Sequence, residues 1–564
     1  MRKSLTYKIL AAVLALSAAN WAVPANVLAG EDANGNYNVT YDGETISDSY
    51  KNVYGNGHSF TITGGKIINV YGVGNVNYDK DASGGNVTIN GNADIAGAVF
   101  GGYTDGGNAY DNEIIISGSA NIENADLYGS NYSSDYGNTG NTLTIDGWSD
   151  STQSVKNFND IAFKNINWNE NKPVLTITVG SADDLENTNI KTIHIAGGSN
   201  INVGESMTLI ESGNGNDLGL TEGNVTDTFT AGVAREGLGS TIVNTNGEVS
   251  FKVNSIKLSS QAVSAAQTRA ASAAFVNQGT DLISDSLDTI SRDDNYGVKT
   301  FAAVHGNRSK YDVADDIKIN GWSTIVGVGN ADKFDNGSEF SWGVFYENGS
   351  GNYRTYNSFN NEFFRGDGST VYNGGGIAAR YENKNGVYTE GSLRAGMLKN
   401  ELDNAMRNVN GSYGYETENA YYGAHIGVGK IISLSDSSDL DIYGKFFHTY
   451  TEGDSVTIAE DKFDFDSITS DRLRIGARIT SNKENNFSTY YGLAYEYEFN
   501  GDADMTAQGL RADTQSLQGS SVMAEVGFNY QPTPDSPWSF DLNMRGYTGE
   551  RQGGSFNVQA TYTF

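Results

Sequence analysis

Apolar and polar residues alternate with a period of two through the last half of the chain. In the final segment Phe556, Val558, Ala560, Tyr562 and Phe564 fall on one face, and Asn557, Gln559, Thr561 and Thr563 on the other. Period-two alternation predicts a strand with one apolar and one polar side. The same parity recurs in 536–547, 518–530, 486–499 and 470–481, where Arg472, Arg474, Arg478, Glu496 and Glu498 all take the polar face. Counting back adds strands near 437–450, 418–431, 386–398, 370–382, 339–350, 320–330 and 298–308, twelve in all. Lipid outside and water inside impose this pattern on a closed antiparallel barrel. Arg380, Glu390, Arg394, Arg472, Arg474, Arg478, Glu496 and Glu498 are then lumen charges. Short connections (383–385, 482–485, 532–535) alternate with long polar ones at 351–369, 399–417, 451–469 and 500–517, expected as external loops. Tyr and Phe at strand ends, including Tyr381, Phe446, Tyr490, Phe499, Tyr530 and Tyr547, are expected to form interfacial girdles.

Residues 258–290 break the alternation. Ala262, Ala266, Ala270 and Ala274 recur at fourfold spacing, with Leu282, Ile283, Leu287 and Ile290 beyond, which predicts a helix with a small-residue face. Before it, FTITGGKI (60–67), VTINGNADI (87–95), IIISGSANI (114–122) and LTIDGW (143–148) recur at steps of 27, 27 and 29 residues. Such a repeat predicts a solenoid, here a parallel β-helix with Ile62, Ile89, Ile116 and Ile145 stacked as an internal ladder. Strands continue less regularly through 173–257. The expected fold class is all-β: a parallel β-helix at 30–257, a helical linker at 258–292 and a twelve-stranded barrel at 293–564.

Composition narrows the setting. The chain has 69 Gly, 5 Pro and no Cys, which rules out disulfides and thiolate metal sites. A formal charge of −31 argues against nucleic acid as a partner. Arg2, Lys3 and Lys8 precede the apolar run Ile9–Ala19, and Val27 and Ala29 fit a cleavage site before Gly30, with an earlier cut after Ala25 as the alternative, so residues 1–29 read as a secretory signal peptide. The segment DRLRIGAR (471–478), YYGLAYEYEFNG (490–501), EVGFNY (525–530), RGYTGERQGG (545–554) and the terminal ATYTF together resemble the autotransporter (type V secretion) β-domain. The resemblance implies an outer-membrane barrel, a helix threading its pore, and a passenger exported to the cell surface. It implies barrel-assembly machinery, periplasmic chaperones and outer-membrane lipid as partners, with Tyr562 and Phe564 as the assembly signal. Relatives that cut themselves do so between paired Asn residues. This chain has Asn277–Gln278 there, so the passenger is expected to stay attached.

Candidate chemistry changes little. His58, His194, His305, His425 and His448 show no metal-ligand spacing. Gly453–Asp454–Ser455 and Gly366–Asp367–Gly368–Ser369 lie in expected barrel loops rather than after a strand of an α/β domain, so they are not read as esterase boxes. The Asp79–Lys80–Asp81 stretch starts like a calcium loop but has Asn90 at the twelfth position. No catalytic residue, cofactor or metal is expected. The expected function is a non-enzymatic surface protein with an adhesive or host-interacting passenger whose ligand is unknown. An enzymatic passenger and a porin-like channel with a periplasmic N-terminal domain remain as alternatives.

Overall fold

A computed structural model describes residues 31–564 except 33, 75–80, 132–138, 169–171, 293–295, 312–316, 360–361, 483–485 and 534–535. The signal-peptide segment 1–29 and residues Asp79 and Lys80 lie outside the described residues. The chain divides into two compact units, residues 1–230 with 237–256, and residues 231–236 with 257–564.

In the first unit the repeats become parallel strands in register. Ile62 pairs with Ile89, Ile89 with Ile116, and Ile116 with Ile145. All four are essentially buried, so each repeat covers its apolar face with the next. Gly91 and Gly118 turn the chain after successive strands at φ 59° and 64°, a region open to Gly without steric cost. A second parallel stack runs through Val53, Val70, Val99 and Leu127, also buried. The alternate positions of these strands carry stacked Tyr54, Tyr71, Phe100 and Tyr128 rings at centroid spacings of 4.9, 5.6 and 5.0 Å, with Phe100 and Tyr128 buried. The last strand of the parallel run, Ser206–Ser212, pairs antiparallel with Val249–Leu258.

The second unit contains one long helix, α1 (Ser260–Arg292), and a closed antiparallel barrel. Its strands are β1 (Gly297–Tyr311), β2 (Ile317–Lys333), β3 (Glu339–Phe359), β4 (Glu362–Glu382), β5 (Val387–Asn408) and β6 (Gly411–Ser435). β7 (Ser438–Thr451), β8 (Ile468–Ser481), β9 (Phe487–Glu498), β10 (Gly519–Tyr530), β11 (Trp538–Gly549) and β12 (Arg551–Thr563) complete it. β12 closes onto β1 over thirteen pairs from Lys299–Thr563 to Tyr311–Arg551, which leaves no unpaired edge. The barrel is inside-out. Val304, Val326, Leu393, Ile426, Ile475 and Leu493 are 42–65% exposed, whereas Lys299, Arg380, Arg394 and Arg474 are at most 4% exposed. Among the described residues no helix is long and apolar enough to cross a membrane.

Three expectations need correction. Residues 351–369 and 399–417 are not open loops: β3 pairs with β4 out to Phe359–Glu362, and β5 with β6 out to Asn408–Gly411. The two hairpins run on as ribbon beyond the roughly ten residues a bilayer requires, because their alternating polar residues satisfy the ladder in water as well. Gly366–Asp367–Gly368–Ser369 accordingly sits within β4 rather than in a loop. Tyr490 and Tyr547 do not join an interfacial girdle. They are 6% exposed and point inward, one position out of phase with the lipid-facing Tyr491 and Met544 rows.

In the first unit His194 is fully buried on Asn189–Ile195, with Nδ1 2.7 Å from Thr230 Oγ1. Burial disfavours the imidazolium and pushes its pKa down to about 4. The unfolded chain then binds the extra proton first, so stability is complete above the ordinary His value and falls as pH drops toward 4. A shift of that size is worth on the order of 3 kcal/mol. Urea midpoints of the first unit, followed in the full chain between pH 7.5 and 4.5 (roughly the span on either side of the shift), are expected to decline, and His194→Gln to flatten that decline. An unchanged slope in the variant would remove His194 as its source.

Candidate functional site: the occupied lumen

α1 is 33 residues long, so it extends roughly 50 Å, enough to traverse the barrel. Its first turn sits at the long-hairpin rim, where Gln261 accepts from Arg407 N (2.6 Å) and donates to Arg407 O (2.9 Å). Its last turn sits at the short-turn rim, where Lys299 Nζ donates to Ile290 O at 3.1 Å. The N-terminal half packs by small side chains: Ala262, Ala266, Ala270 and Ala274 are at most 1% exposed. Phe275 fills the middle and its ring lies 5.5 Å from that of Tyr372. Gly279 lets the backbone approach the wall, since a Cβ there would meet Tyr372 Oη at 2.5 Å.

Beyond Gly279 the helix is held by charge. Asp281 meets Arg474 at 2.9 Å, Arg551 at 3.0 Å and Arg472 at 3.3 Å. Asp285 takes both guanidinium nitrogens of Arg545, at 2.7 and 2.6 Å. Asp288 meets Arg380 and Lys445 at 3.1 Å and Arg478 at 3.4 Å. The spacing 281, 285, 288 follows successive helical turns, so the three carboxylates form one stripe. Wall acids complete the network: Glu496 binds Arg474 (2.6 Å), Glu525 binds Arg478 (2.6 Å) and Glu390 binds Lys445 (2.7 Å). Several of these cations lie against an aromatic face as well, as Arg380 does over Tyr388 at 3.6 Å and Arg551 over Tyr547 at 3.8 Å.

The residues read from the sequence as lumen charges are distributed as follows. Arg380, Arg472, Arg474 and Arg478 contact the helix aspartates directly, and Arg394 donates to Val276 O (2.7 Å) while pairing with Glu347 (2.9 Å). Glu390 and Glu496 are wall partners of the cations that hold α1. Glu498 is set apart, accepting from Ser470 Oγ and from Asp471 N at 2.8 Å. Tyr562 and Phe564 lie on the outer surface, Phe564 75% exposed, with their rings edge-on at 4.9 Å. Sequence reasoning missed Asp281, Asp285 and Asp288, and also Glu347, Lys445 and Arg551, whereas parity had put Glu525 and Arg545 on the polar face. The signal was present in the i, i+4, i+7 spacing of the aspartates, which the alanine repeat overshadowed. Asn277 donates to Ser470 Oγ at 2.8 Å, and its carbonyl accepts from Arg472 at 3.1 Å.

One histidine forms a hydroxyl–imidazole–carboxylate set: Ser392 Oγ bonds His425 Nδ1, and His425 Nε2 lies 3.4 Å from Glu390. All three are at least nine-tenths buried, and Glu390 is already engaged by Lys445, so the set belongs to the structural network. At the opposite end, external hairpin Asp454–Phe465 brings Asp461 against residues 232–235. Its carboxylate accepts from Val233 N (2.8 Å), Ala234 N (2.9 Å) and Gln508 Nε2 (2.9 Å). Gly232 at φ 57° is required there, because a Cβ would fall 2.0 Å from Asp461 Oδ2.

Residues 300–544 match the family model of the autotransporter β-domain. This segment is an autotransporter β-domain. Among solved structures, the translocator domain of NalP from Neisseria meningitidis aligns at TM-score 0.39 and 13% identity, over 52% of this chain and 96% of that one. The β-domain of the Bordetella autotransporter BrkA aligns at 0.37 and 12%, over 48% and 100%. The transport unit of AIDA-I from Escherichia coli aligns at 0.37 and 11%, over 48% and 92%. No curated protein matches the chain. The autotransporter barrel places this protein in the outer membrane.

Removing a buried ion partner leaves an uncompensated charge and costs about 3–5 kcal/mol. Asp281→Leu strands three arginines, so its planar-bilayer conductance is expected to exceed that of the native chain through more frequent helix displacement. Identical conductance would show that the aspartate does not hold the plug. Asp461→Ala is expected to speed proteolysis of the 231–259 segment in the folded protein, and an unchanged cleavage rate would count against the clamp.

Proposed function

We propose that this protein is a self-translocating autotransporter whose barrel exports and anchors a surface-exposed, β-helical passenger at residues 30–257. The passenger is read as adhesive or host-interacting and non-enzymatic. The observation that supports this most is the direction of α1, which enters at the rim of the long hairpins and ends at the rim of the short turns. One crossing of the lumen separates Ser260 from the start of the barrel's first strand at Gly297. Long hairpins facing outward and short turns facing the periplasm are the usual result of outer-membrane insertion. The parallel isoleucine and valine stacks supply a long, polar-sided surface of the kind that repeat proteins use for binding. A porin-like role fits poorly with a lumen packed by Phe275 and closed by three aspartate clusters. Barrel-assembly machinery and periplasmic chaperones are the partners required for insertion.

Asn277 and the Gln278 that follows it leave the passenger attached in this reading. Protease treatment of intact cells, followed with an antibody against residues 31–250, is expected to remove signal from a full-length band. Full protection of that band would place the N-terminal unit in the periplasm and overturn the proposal.

A further inference from the structure

The outer wall of the barrel carries a charge asymmetry that export does not explain. On β1–β4, outward positions just past the apolar rows hold Arg308, Lys310, Lys318, Arg354 and Arg365. These residues are adjacent: Lys310 pairs with Lys318, Arg308 with Asn320, Asn320 with Asn352, and Tyr356 with Arg365. Asp367 lies 3.4 Å from Arg354 and 2.7 Å from Arg365, Glu362 stands at the tip of β4, and the sequence adds Asp312, Asp315 and Asp316 between Lys310 and Lys318. The following hairpin reverses the sign, with Glu401, Asp403, Glu416 and Glu418 outward and Lys399 paired to Glu416 at 2.9 Å. In a chain of net charge −31, the described strands of this third of the rim carry five basic groups against Asp367 and Glu362.

The basic sector also has a shape. The β2–β3 ladder ends at Asn320–Asn352, while β3 runs on to Phe359, so the two strands part above that pair. The notch between them encloses about 1370 Å³; Arg308, Lys310, Lys318, Arg354 and Asp367 line its outer mouth, and Gln267, Thr268 and Ala271 of α1 line its inner end. Ser309 and Thr355 line it from the lumen side, both more than nine-tenths buried. Below it the lipid-facing wall continues through Val304, Trp322 and Val326, each 42–51% exposed.

We propose that this notch binds the phosphorylated headgroup of a glycolipid in the outer leaflet. Guanidinium and ammonium groups in a fixed array take phosphate oxygens. The apolar wall beneath takes the acyl chains, which selects a membrane lipid over a free anion. Residues near a charged bilayer surface each add attraction to anionic headgroups, and this sector concentrates five of them. The inference rests on the long hairpins facing outward from the cell.

The test uses the full chain extracted from outer membranes in mild detergent, with bound glycolipid counted per chain by mass spectrometry. The triple variant Arg308→Glu, Lys318→Glu, Arg354→Glu is compared with Lys430→Glu at the opposite rim, and heat-modifiable migration reports barrel folding. The triple variant is expected to lose bound glycolipid about tenfold or more, with Lys430→Glu unchanged. Independently of any variant, the native chain is expected to rebind the phosphorylated glycolipid, not its dephosphorylated form, and excess inorganic phosphate is expected not to displace it. Equal retention by the triple variant, equal rebinding of the dephosphorylated lipid, displacement by inorganic phosphate, or loss confined to Lys430→Glu would each overturn the proposal. Loss confined to Lys430→Glu would also point to an inverted barrel, whereas surface proteolysis with equal lipid retention would sink the lipid site alone.

Discussion

A closed barrel whose inner wall carries arginine cannot be left with those charges facing one another, and here the compensating charge comes from a helix. Asp281, Asp285 and Asp288 reach Arg380, Lys445, Arg472, Arg474, Arg478, Arg545 and Arg551 from a single stripe. Buried ion pairs are a weak source of net stability, but removing one partner is costly. The network therefore acts mainly as a register device: it specifies where along the lumen the helix stops. The remaining length of α1 needs only to fit, and alanines at fourfold spacing let it do so against Tyr353, Tyr372 and Tyr421.

The same lumen explains the outer surface. Polar groups satisfied inward leave every second position free to be apolar, and those positions meet lipid. Above the lipid the constraint relaxes, so β3–β4 and β5–β6 run on as ribbons while the hairpins near Asp454–Phe465 and Met505–Arg511 fold over as a small sheet. Asp461 in that sheet fixes the strand-to-helix passage by its grip on Val233 and Ala234. Together the two ends hold the helix, one through backbone amides and the other through carboxylate–guanidinium pairs.

Much of this was legible in the sequence because a period of two is unambiguous over ten residues. The twelve barrel strands and the inward set Arg472, Arg474, Arg478 and Glu496 follow directly from parity. Strand ends were less legible: nothing in the alternation of residues 351–369 marks where lipid stops and water begins, since a polar ribbon continues the same ladder. Tyr490 and Tyr547 were misplaced for a related reason, as an aromatic near a strand end suggests an interface even when its parity points inward. The helix aspartates were missed because their partners come from β4, β7, β8, β11 and β12, and no local pattern records such distant pairing. The basic notch was likewise invisible, because it depends on β2 and β3 parting in space.

The chain has no Cys, so a single introduced thiol reports where α1 lies. Ala270 is fully buried on the helix, whereas Lys257 just before it is exposed. If the helix fills the lumen, Ala270→Cys in intact outer membranes will resist a bulky maleimide until the protein is denatured by heat, while Lys257→Cys will react at once. Equal labelling of the two positions in folded protein would contradict the plugged barrel.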